Sequence, residues 1–519
     1  MCAKSFADMG EACARARVVG DIVELRLDCV EAENWAIGTS QFEALIRDQS
    51  CPLILTFRPS EQGGHRVLSR AEREAFWKGD WSPFRTALAD IESDLVVDER
   101  YASYEESFGN RQESFVSREE SFVNLAFDWS RVIVSHHDFE GVPADLEQLY
   151  ERLAATSAHV VKIAVQANDI TDCIRIFHVL DRARNEQRNL IAIAMGDAGV
   201  ATRILGPARG SFLTYGSLAD ESATAPGQVN ARQLRSVYHI DDINDATMIC
   251  GLVGLPVMHS VSPHMHNAGF AAEGVNGVYL PLEVRDVETF IKRMVHPATR
   301  ELDWNLRGLS VTAPHKSSVM ELLDWVEPEA QEIGAVNTIV IEGEKLRGYN
   351  TDVQGLIEPL RKRVGSLSGL SVAVIGAGGA ARAAVWALKK EQAKVALFAR
   401  TRPKVEALAS KYDLTFAPVQ DASFKDYDVV INTTPVGSAE LAGRTIAVAE
   451  QLGGARLVYD LVYNPIETEF LKQAHAAGCQ TLGGLEMLVA QAGLQFELWT
   501  GKTPSASVMY DAALAPLSR

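Results

Sequence analysis

Residues Val372–Arg382 read Val-Ala-Val-Ile-Gly-Ala-Gly-Gly-Ala-Ala-Arg and indicate the architecture of the second half of this chain. Its apolar run predicts a buried strand, its glycines predict a tight turn, and the Ala-rich continuation predicts a helix. In such a G-x-G-x-x-A pattern the glycines let the backbone approach a pyrophosphate, and the helix N-terminus supplies N–H donors. We therefore expect a dinucleotide site, the alternative being a purely structural Gly/Ala turn. Its expected lining is Gly376, Gly378, Gly379 and Ala380.

The next predicted strand indicates which dinucleotide would bind. It covers residues 394–398 and ends in Ala-Arg-Thr-Arg-Pro-Lys at 399–404. NAD-binding folds usually place an acid about 20 residues after the glycines, whereas this segment holds no acid and three cations. A cationic fork suits a 2′-phosphate, which favours NADP over NAD, and a solvated basic loop is the alternative. The candidate residues are Arg400, Thr401, Arg402 and Lys404.

The first half has a different pattern, a series of short, nearly all-apolar runs separated by helical stretches. Such runs are typical of parallel strands buried on both faces. They lie at 22–27, 53–57, 95–97, 132–135, 160–165, 190–194 and 212–215. Together they predict an α/β chain that begins with a (β/α)8 barrel. The eighth strand would have to be the first, and only Met1–Ser5 stands where it should be, so either that strand is a stub or the start is misplaced.

Length and charge bound the remaining possibilities. The 519 residues are enough for three to four domains of ordinary size. The 50 basic and 68 acidic residues give a net charge of −18. This balance disfavours nucleic acid or an anionic membrane surface as the main partner, but it leaves room for small anionic ligands. With 47% apolar and 23% charged residues, the chain is neither disordered nor collagen-like.

The cysteines and the N-terminus predict a cellular location. Seven cysteines, an odd number without a C-x-x-C pair, favour free thiols in a reducing compartment. No Cys/His cluster has the spacing of a zinc site, so we expect no metal. No apolar run reaches the roughly 18 residues of a membrane span, and residues 1–20 lack the apolar core of a signal peptide. We therefore expect a cytoplasmic protein.

An acidic, Asn-containing stretch at 239–245 is interpreted as a linker. The expected domains are a barrel over 1–240, a small α/β domain over 246–355 joined by the C-terminal helices of 490–519, and a Rossmann domain over 366–489. A Glu-Ser-Phe triplet also repeats every seven residues within 106–122. One apolar residue per heptad is too sparse for a coiled coil, so we expect a polar helix or loop at the surface.

Two motifs of the first half carry chemistry. Lys162 lies inside the predicted strand His-Val-Val-Lys-Ile-Ala-Val at 159–165, and lysine is rarely buried without cause. Either its stem snorkels to the surface, or it is a buried amine nucleophile whose pKa is lowered by burial. Ser-His-His-Asp-Phe at 135–139 follows the preceding strand. Because active sites gather at the C-terminal ends of barrel strands, a neutral imidazole there suits proton abstraction.

Four motifs of the second half lie between the linker and the glycine turn. They are Ser-Val-Ser-Pro-His-Met-His-Asn at 260–267, Ser-Val-Thr-Ala-Pro-His-Lys at 310–316, Gly-Ala-Val-Asn-Thr at 334–338 and Gly-Tyr-Asn-Thr-Asp at 348–352. Taken alone, Ser-x-Ser-Pro is most often a helix N-cap, and Lys316 would be a surface lysine.

Together these motifs resemble two known families. The first half resembles type I 3-dehydroquinate dehydratase, and the second half resembles shikimate dehydrogenase. Their fusion in this order is similar to the bifunctional dehydratase–dehydrogenases of the shikimate pathway. The resemblance implies a lyase that converts 3-dehydroquinate into 3-dehydroshikimate, followed by an NADP-dependent oxidoreductase that produces shikimate. The implied partners are small-molecule substrates (3-dehydroquinate, 3-dehydroshikimate and shikimate), with no nucleic acid and no membrane.

In the dehydratase half, the resemblance implies a Schiff base at Lys162, and the family pattern Ser-x-His-Asp-Phe selects His137 over His136 as the base. Two departures from the family put the rate in doubt. Gln62 stands where the family has a glutamate before Gly-Gly, and Ser5 is a weak substitute for a hydroxyl of the first strand. The residues implied to bind substrate are Glu24 and Arg26 of a Glu-x-Arg-x-Asp motif completed by Asp28, and Arg58, Arg203, Thr224 and Gln228.

In the dehydrogenase half, the resemblance implies that Lys316 and Asp352 are the catalytic pair. The lysine would act as the acid, and the aspartate would hold the substrate hydroxyl and the lysine in register. The residues implied to contact substrate are Ser260, Ser262, Thr312, Asn337, Tyr463 and Gln491. The cofactor site would be completed by Thr433, Leu461 and Gly484.

Competing hypotheses remain open at this point. The barrel could be a degenerate scaffold beside a shikimate or quinate dehydrogenase, and the second half could be a redox-sensing NADP binder without catalysis. The sequence gives no oligomeric state.

Overall fold

The computed structural model describes residues 1–31, 33–34, 42, 51–79, 86–97, 128–218, 226–400, 402–420 and 422–518, of which 402–404 are described by their backbone alone. The Glu-Ser-Phe repeat, Thr224 and Thr401 lie outside the described residues. The chain divides into two compact units, Met1–Asp245 with Leu282–Val284, and Ala246–Pro281 with Arg285–Arg519. Among the described helices, none is long and apolar enough to cross a membrane.

The first unit is built on one parallel sheet. Its strands are β1 (Val23–Arg26), β2 (Leu53–Thr56), β3 (Leu88–Glu92), β4 (Val132–Asp138), β5 (Val160–Gln166) and β6 (Leu190–Met195). Over the described part of the chain, each strand pairs with the next, in the order β1-β2-β3-β4-β5-β6. This is the order of consecutive strands in a barrel, and the predicted α/β barrel class is confirmed.

Helices follow the strands. The described ones are α1 (Phe6–Ala16), α2 (Arg70–Trp77), α3 (Ser93–Val96), α4 (Leu146–Ala154), α5 (Asp172–Asn185), α6 (Val200–Leu205) and α7 (Ala231–Ser236). Local hydrogen bonds fix where two of them begin. The Ser5 hydroxyl accepts from the Asp8 N–H at α1, and Ser69 with Glu72 forms a capping box at α2. Branched side chains such as Ile54 on the strands form a buried apolar cluster.

Two isolated bridges extend this sheet. Cys2 pairs in parallel with Arg26 beside β1, and Ser211 pairs with Leu190 beside β6. The segment before β1 thus contributes a single bridged residue, which corresponds to the predicted stub. Ser5 caps α1 and does not supply a hydroxyl to the barrel. The predicted strand at 212–215 is wrong, because no strand is formed there; the flanking Ser211 and Ser217 form isolated bridges with Leu190 and Asn230.

The predicted strand at 95–97 is also wrong. The strand is Leu88–Glu92, and Leu95 belongs to α3. The apolar pattern missed β3 because Asp90 and Glu92 interrupt it, although both side chains are fully buried. Buried carboxylates with cationic partners look like solvent-facing positions in a hydropathy pattern.

The expectation that all the cysteines are free thiols is wrong as well. Cys2 and Cys29 form a disulfide, with their Cα atoms 5.4 Å apart. The β-bridge between Cys2 and Arg26 brings Cys2 close to Cys29, which follows shortly after the end of β1. The other five cysteines are free and buried.

The second unit holds two sheets. The described strands are β7 (Met248–Gly254), β8 (Gly277–Glu283), β9 (Leu306–Val311), β10 (Trp325–Val326), β11 (Thr338–Glu342), β12 (Lys345–Tyr349), β13 (Ser371–Ile375), β14 (Lys394–Ala399), β15 (Thr415–Pro418), β16 (Val429–Asn432), β17 (Leu457–Asp460) and β18 (Gln480–Leu482). The mixed sheet has the order β10-β12-β11-β9-β7-β8, and the parallel sheet has the order β15-β14-β13-β16-β17-β18. The second order is that of a doubly wound dinucleotide fold, so the predicted Rossmann fold is confirmed.

The described helices of this unit are α8 (Ser262–Ala272), α9 (Val287–Phe290), α10 (Pro328–Ile333), α11 (Asp352–Val364), α12 (Gly379–Lys390), α13 (Arg402–Tyr412), α14 (Ala449–Leu452), α15 (Glu469–Ala476), α16 (Gly484–Thr500) and α17 (Ala506–Leu517). The last two return to α8, where Met265, Val489 and Met509 share one apolar cluster. Helices α11 and α16 approach closely at Gly355, where a Cβ would lie 2.6 Å from the Cβ of Gln491.

Candidate active sites

A pocket opens at the C-terminal ends of the barrel strands. Its polar lining residues come from several strands and the segments that follow them, which is the arrangement that parallel strands impose. They are Glu24, Arg26, Arg58, Gln62, His137, Lys162, Arg203, Tyr215 and Gln228. Of the residues that the sequence proposed for this half, only Thr224 lies outside the described part of the chain.

Lys162 lies on β5 and is 4% exposed, so its ammonium does not snorkel to solvent. Its Nζ donates to Asp90 Oδ2 at 2.8 Å and to the Tyr215 hydroxyl at 3.3 Å. Burial lowers the pKa of Lys162, and the charge of Asp90 opposes that shift without cancelling it. The amine can therefore lose its proton more easily than a surface lysine does.

His137 lies on β4 and faces the same pocket. Its Nε2 accepts from Arg58 Nη1 at 2.9 Å, which places the imidazole proton of the neutral ring on Nδ1. Burial and then the charges of Arg58 and Lys162 lower the pKa of His137 well below its ordinary value. The imidazole is thus held neutral. Its neighbour His136 lies near Ser93 instead, with Nδ1 3.5 Å from the hydroxyl.

Asp90 is the centre of this site, and the sequence predictions missed it. Its Oδ2 accepts from Lys162 at 2.8 Å and from Arg58 Nη2 at 2.8 Å. Burial alone would raise the pKa of Asp90, but the charges of Arg58 and Lys162 outweigh it and the pKa is lowered. Two acids at alternate positions of an apolar segment, Asp90 and Glu92, were the signal that could have identified both the strand and the site.

Gln62 contacts a second, separate acidic group. Its Nε2 donates to Asp94 Oδ1 at 3.2 Å, and Arg73 also grips Asp94 with contacts of 3.0 and 2.7 Å. The Gln62 carbonyl oxygen accepts no hydrogen bond from the described residues. Glu92 is also beside Arg73, at 3.5 Å, and burial raises the pKa of Glu92 to about 8 against the charges of Arg58 and Arg73.

Two arginines of the pocket differ in what they can still bind. Arg26 is committed to a two-point contact with Asp28, at 3.0 and 2.9 Å, and also donates to the Gly63 carbonyl. Arg203 on α6 is 2% exposed and donates to the Pro226 carbonyl at 3.1 Å. Among the described residues no carboxylate pairs with Arg203, and burial lowers its pKa to about 10. It is thus a buried cation suited to a carboxylate ligand.

A second site lies in the second unit, centred on Lys316 in the turn after β9. Lys316 Nζ donates to Asp352 Oδ2 at 2.6 Å, and Asp352 begins α11. Asn337 holds the other oxygen, since its Nδ2 lies 2.9 Å from Asp352 Oδ1 and 2.9 Å from Thr351 Oγ1. The Gln491 side-chain oxygen lies 3.3 Å from the same Asn337 nitrogen.

Gln495, one turn after Gln491 on α16, supports this network and was also missed. Its Nε2 donates to the Asn337 backbone carbonyl at 3.1 Å and to Thr338 Oγ1 at 2.9 Å. Its Oε1 accepts from the Ser310 hydroxyl at 2.7 Å. Two glutamines spaced by four residues on one helix are the sequence signal, since that spacing places both on one face.

The remaining proposed contacts of this half form a smaller group. The Ser260 hydroxyl donates to Ser262 Oγ at 3.0 Å and accepts from the Ser262 N–H at 3.2 Å, at the start of α8. Burial raises the pKa of Tyr463, while its hydrogen bond with Ser260 opposes the shift. Thr312 follows β9, and its backbone N–H donates to the Val253 carbonyl at 2.8 Å.

The glycine turn after β13 has the shape that a dinucleotide needs. Gly376 has a φ of +132°, and a Cβ there would lie 2.2 Å from Thr433 Oγ1. Thr433 itself is fixed by donating its backbone N–H and its hydroxyl to the Ile375 carbonyl, at 2.9 and 2.7 Å. Gly378 precedes the first turn of α12, where Gly379 and Ala380 stand. The backbone is therefore open to a phosphate at a helix N-terminus.

Two further features border that turn. A Cβ at Gly484 would lie 2.3 Å from the Leu461 carbonyl oxygen, so the start of α16 closely approaches the end of β17. Arg400 is exposed directly after β14. Arg402 and Lys404 are described by their backbone alone, within α13.

Comparison with known proteins relates both sites to families. The type I 3-dehydroquinase family matches residues 1–245. The shikimate dehydrogenase substrate binding domain matches 252–339, the shikimate / quinate 5-dehydrogenase family matches 358–465, and the shikimate 5′-dehydrogenase C-terminal domain matches 484–514.

Individual relatives belong to the same two enzyme families. The bifunctional 3-dehydroquinate dehydratase/shikimate dehydrogenase of Arabidopsis thaliana, described as chloroplastic, is 32% identical over 511 residues, which cover 94% of this chain and 79% of the relative. The shikimate dehydrogenase (NADP(+)) of Caldanaerobacter subterraneus subsp. tengcongensis is 40% identical and covers 52% of this chain and 97% of itself. A crystal structure of shikimate dehydrogenase in complex with NADP+ has a TM-score of 0.50 and 36% identity, over 53% of this chain and 98% of its own. The chain therefore belongs to the family of bifunctional 3-dehydroquinate dehydratase/shikimate dehydrogenases, as its motifs predicted.

Proposed function

We propose that the first unit dehydrates 3-dehydroquinate to 3-dehydroshikimate through an imine at Lys162, and that the second unit reduces this product to shikimate with NADPH. The contact chain of Lys162, Asp90, Arg58 and His137 carries the first part of the proposal. It combines a buried amine whose pKa is lowered with an imidazole that is held neutral.

In the dehydratase step, the ammonium of Lys162 first releases a proton, and its neutral amine attacks the substrate ketone to form a carbinolamine. The carbinolamine hydroxyl takes up one proton, equal to the one that the lysine released, and leaves as water, which gives a protonated imine. The imine withdraws electrons, so that neutral His137 can remove the proton on the adjacent carbon. His137 then returns that proton to the hydroxyl on the β carbon, which leaves as water. Hydrolysis of the imine releases the product and Lys162.

Substrate recognition in this unit is assigned to the cations at the pocket. Arg203 is the strongest candidate for the substrate carboxylate, because it is a buried cation whose described partner is a backbone carbonyl. Glu24, held by the Thr56 hydroxyl at 2.7 Å, would accept from a substrate hydroxyl. Arg26, Arg58, Thr224 and Gln228 complete the proposed set.

In the reductase step, Lys316 would donate a proton to the carbonyl oxygen as it becomes a hydroxyl, and Asp352 would accept a hydrogen bond from that hydroxyl and hold Lys316 in register. Bound NADPH supplies the hydride. Asn337 fixes Asp352, and Gln491, Ser260, Ser262, Thr312 and Tyr463 would bind the rest of the substrate. In this proposal the substrate domain is 246–355 with helices from 490–519, and the cofactor domain is 366–489.

The glycine turn fits a dinucleotide because the space beside Gly376 is left open by the absence of a side chain. Any side chain at this position would occupy that space, since its Cβ would collide with Thr433 Oγ1. Gly378, Gly379 and Ala380 would take the pyrophosphate, and Arg400, Thr401, Arg402 and Lys404 the 2′-phosphate. Thr433, Leu461 and Gly484 would border the nicotinamide end. Relatives named as NADP(+) enzymes support this choice of cofactor.

The test is covalent trapping. Borohydride added with 3-dehydroquinate should add the mass of the reduced adduct to the peptide that contains Lys162, and the Lys162→Ala variant should gain none. The Lys316→Ala variant should still be trapped while it loses shikimate-dependent NADP reduction. Dehydroquinate turnover that survives in Lys162→Ala would overturn the imine mechanism.

A second candidate function is a dehydrogenase beside a slow or inactive barrel, and the contacts of Gln62 favour it. Its amide donates to Asp94, so a neutral group bound to another acid stands where the family has a glutamate. If this residue limits the rate, Gln62→Glu should raise dehydratase kcat while leaving the reductase unchanged. Comparison of shikimate with quinate as substrates separates the two dehydrogenase alternatives.

A further inference from the structure

Three side chains that can bind a metal meet near the C-terminal ends of β1 and β2, outside the residues that the proposed chemistry uses. They belong to Cys2, Cys29 and His65, and one donor atom of each lies within 4.8 Å of the other two. The donors come from three separate segments, the residue bridged to β1, the end of the 3-10 helix Leu27–Cys29 and the loop of residues 59–66. Because these three residues are far apart in the sequence, they form no local motif with the spacing typical of zinc ligands.

The donor set has the chemistry of a zinc site. Two thiolates and one imidazole are the ligands that Zn²⁺ prefers, and three protein ligands leave a fourth tetrahedral position for water. Two thiolates also neutralise the charge of a divalent cation. Cys2 and His65 are exposed, which gives a metal access, whereas Cys29 is buried behind them. The five remaining cysteines are buried and offer no comparable cluster among the described residues.

We propose that Cys2, Cys29 and His65 form a site for a thiophilic divalent cation, for which Zn²⁺ is the probe, when the two cysteines are reduced. The disulfide is then the metal-free, oxidised state of the same site. A dithiol reductant converts the disulfide into two thiols and becomes a disulfide itself. The two thiols then release two protons as they bind the cation.

The site is connected to the pocket through a short chain of contacts. The His65 backbone N–H donates to Asp28 Oδ2 at 3.0 Å, and Asp28 grips Arg26. Arg26 in turn donates to the Gly63 carbonyl at 2.9 Å, and both Arg26 and Gly63 line the pocket. A cation coordinated by Cys2, Cys29 and His65 would therefore tie the 59–66 loop to the end of β1.

Binding is measured on the full chain and does not depend on the proposed activity. The protein is reduced with a dithiol, freed of reductant without oxygen, and titrated with Zn²⁺ against a chromophoric chelator. One Zn²⁺ per chain and two released protons are expected, and Co²⁺ should give the absorption of thiolate-to-cobalt charge transfer. The oxidised chain should show neither.

Variants identify the ligands. Cys2→Ser, Cys29→Ser and His65→Ala should each weaken Zn²⁺ binding by more than about 100-fold, since loss of even an outer-shell partner costs 10–100-fold. Cys51→Ser is the matched control, because Cys51 is buried and its thiol donates to the Asp21 carbonyl, which a hydroxyl can also do. A reduced chain that binds no Zn²⁺, or a His65→Ala variant that binds as tightly as the parent, would overturn the proposal.

Discussion

The two units each place a lysine beside an aspartate, yet they use this pair differently. Lys162 is 4% exposed and shares Asp90 with Arg58, so two cations compete for one carboxylate. The Lys316 side chain is 27% exposed and shares Asp352 with an uncharged amide, that of Asn337. Burial, followed by the charge of Arg58, lowers the pKa of Lys162 against the charge of Asp90, so the first arrangement favours loss of a proton from lysine. Burial of the amine, together with a second cation at its carboxylate, sets Lys162, the proposed nucleophile, apart from the partly exposed Lys316, the proposed acid.

Replacing Lys162 or Lys316 by alanine tests this comparison, and we expect these changes to have the largest effects on the two reaction rates. Lys162→Ala should lower dehydratase kcat by about 10⁴–10⁶-fold, as removal of a nucleophile does, and leave the reductase unchanged. Lys316→Ala should lower the reductase rate by about 10²–10⁴-fold, the range of general acid catalysis, and leave the dehydratase unchanged. Separate assays of the two half-reactions measure both. An equal loss in both assays would mean that the two units do not work independently.

Removing the Asp90 carboxylate, which Lys162 and Arg58 share, should destabilise the barrel site. Asp90→Asn leaves Lys162 and Arg58 buried without their counter-ion, which should cost about 3–5 kcal/mol of unfolding free energy. Since the pKa of Asp90 is lowered below 3.8, its contribution is complete above the pKa of the unfolded chain and is lost as the pH falls through the folded pKa. Denaturant titrations at neutral and acidic pH should therefore show parent and variant converging in acid. A constant difference would contradict this assignment.

A third change tests a buried carboxyl group of the barrel whose pKa is raised, that of Glu92. Burial raises the pKa of Glu92 from 4.5 to about 8, so its contribution to stability is complete below 4.5 and is lost as the pH rises through about 8. Glu92→Gln cannot ionise, and its unfolding free energy should improve relative to the parent across that window. Glu61→Gln, at an exposed position, is the control. If both variants follow the parent, Glu92 is not protonated in the fold.

We expect the smallest effect at Gln495, which supports the hydrogen-bond network around Asn337 in the reductase site. Gln495→Leu removes the donors to Asn337 and Thr338 and leaves Ser310 without its acceptor. We expect reductase kcat to fall about tenfold, equivalent to ~1.4 kcal/mol, with dehydratase activity unchanged. Gln480→Leu, exposed on β18, is the control. A rise in KM for substrate without a change in kcat would place Gln495 in binding and not in positioning.

Local motifs predicted much of this architecture. The segment at 372–382 predicted the Rossmann strand, turn and helix, because glycine conformation and helix termini are local properties. Lys162 was singled out because a lysine inside an apolar strand is rare. The choice of His137 over His136 depended on a family pattern.

The failures arose where long-range contacts decide. Asp90 looked like a break between strands because its two cationic partners come from β5 and from the residues after β2, which no local pattern reveals. The strand was accordingly assigned to Leu95 and its neighbours. The disulfide was missed for the same reason, since its pairing depends on the bridge between Cys2 and Arg26.

The position of Asp90 affects the charge that Lys162 Nζ carries at each stage of the proposed reaction. In the proposed reaction Lys162 Nζ is positive as an ammonium, neutral as the attacking amine, and positive again as the protonated imine, while the carboxylate 2.8 Å away stays negative throughout. Asp90 therefore stabilises the resting form and the covalent form but not the form between them. The same fixed charge therefore slows release of the first proton, while it stabilises the covalent adduct in the same way as the resting ammonium.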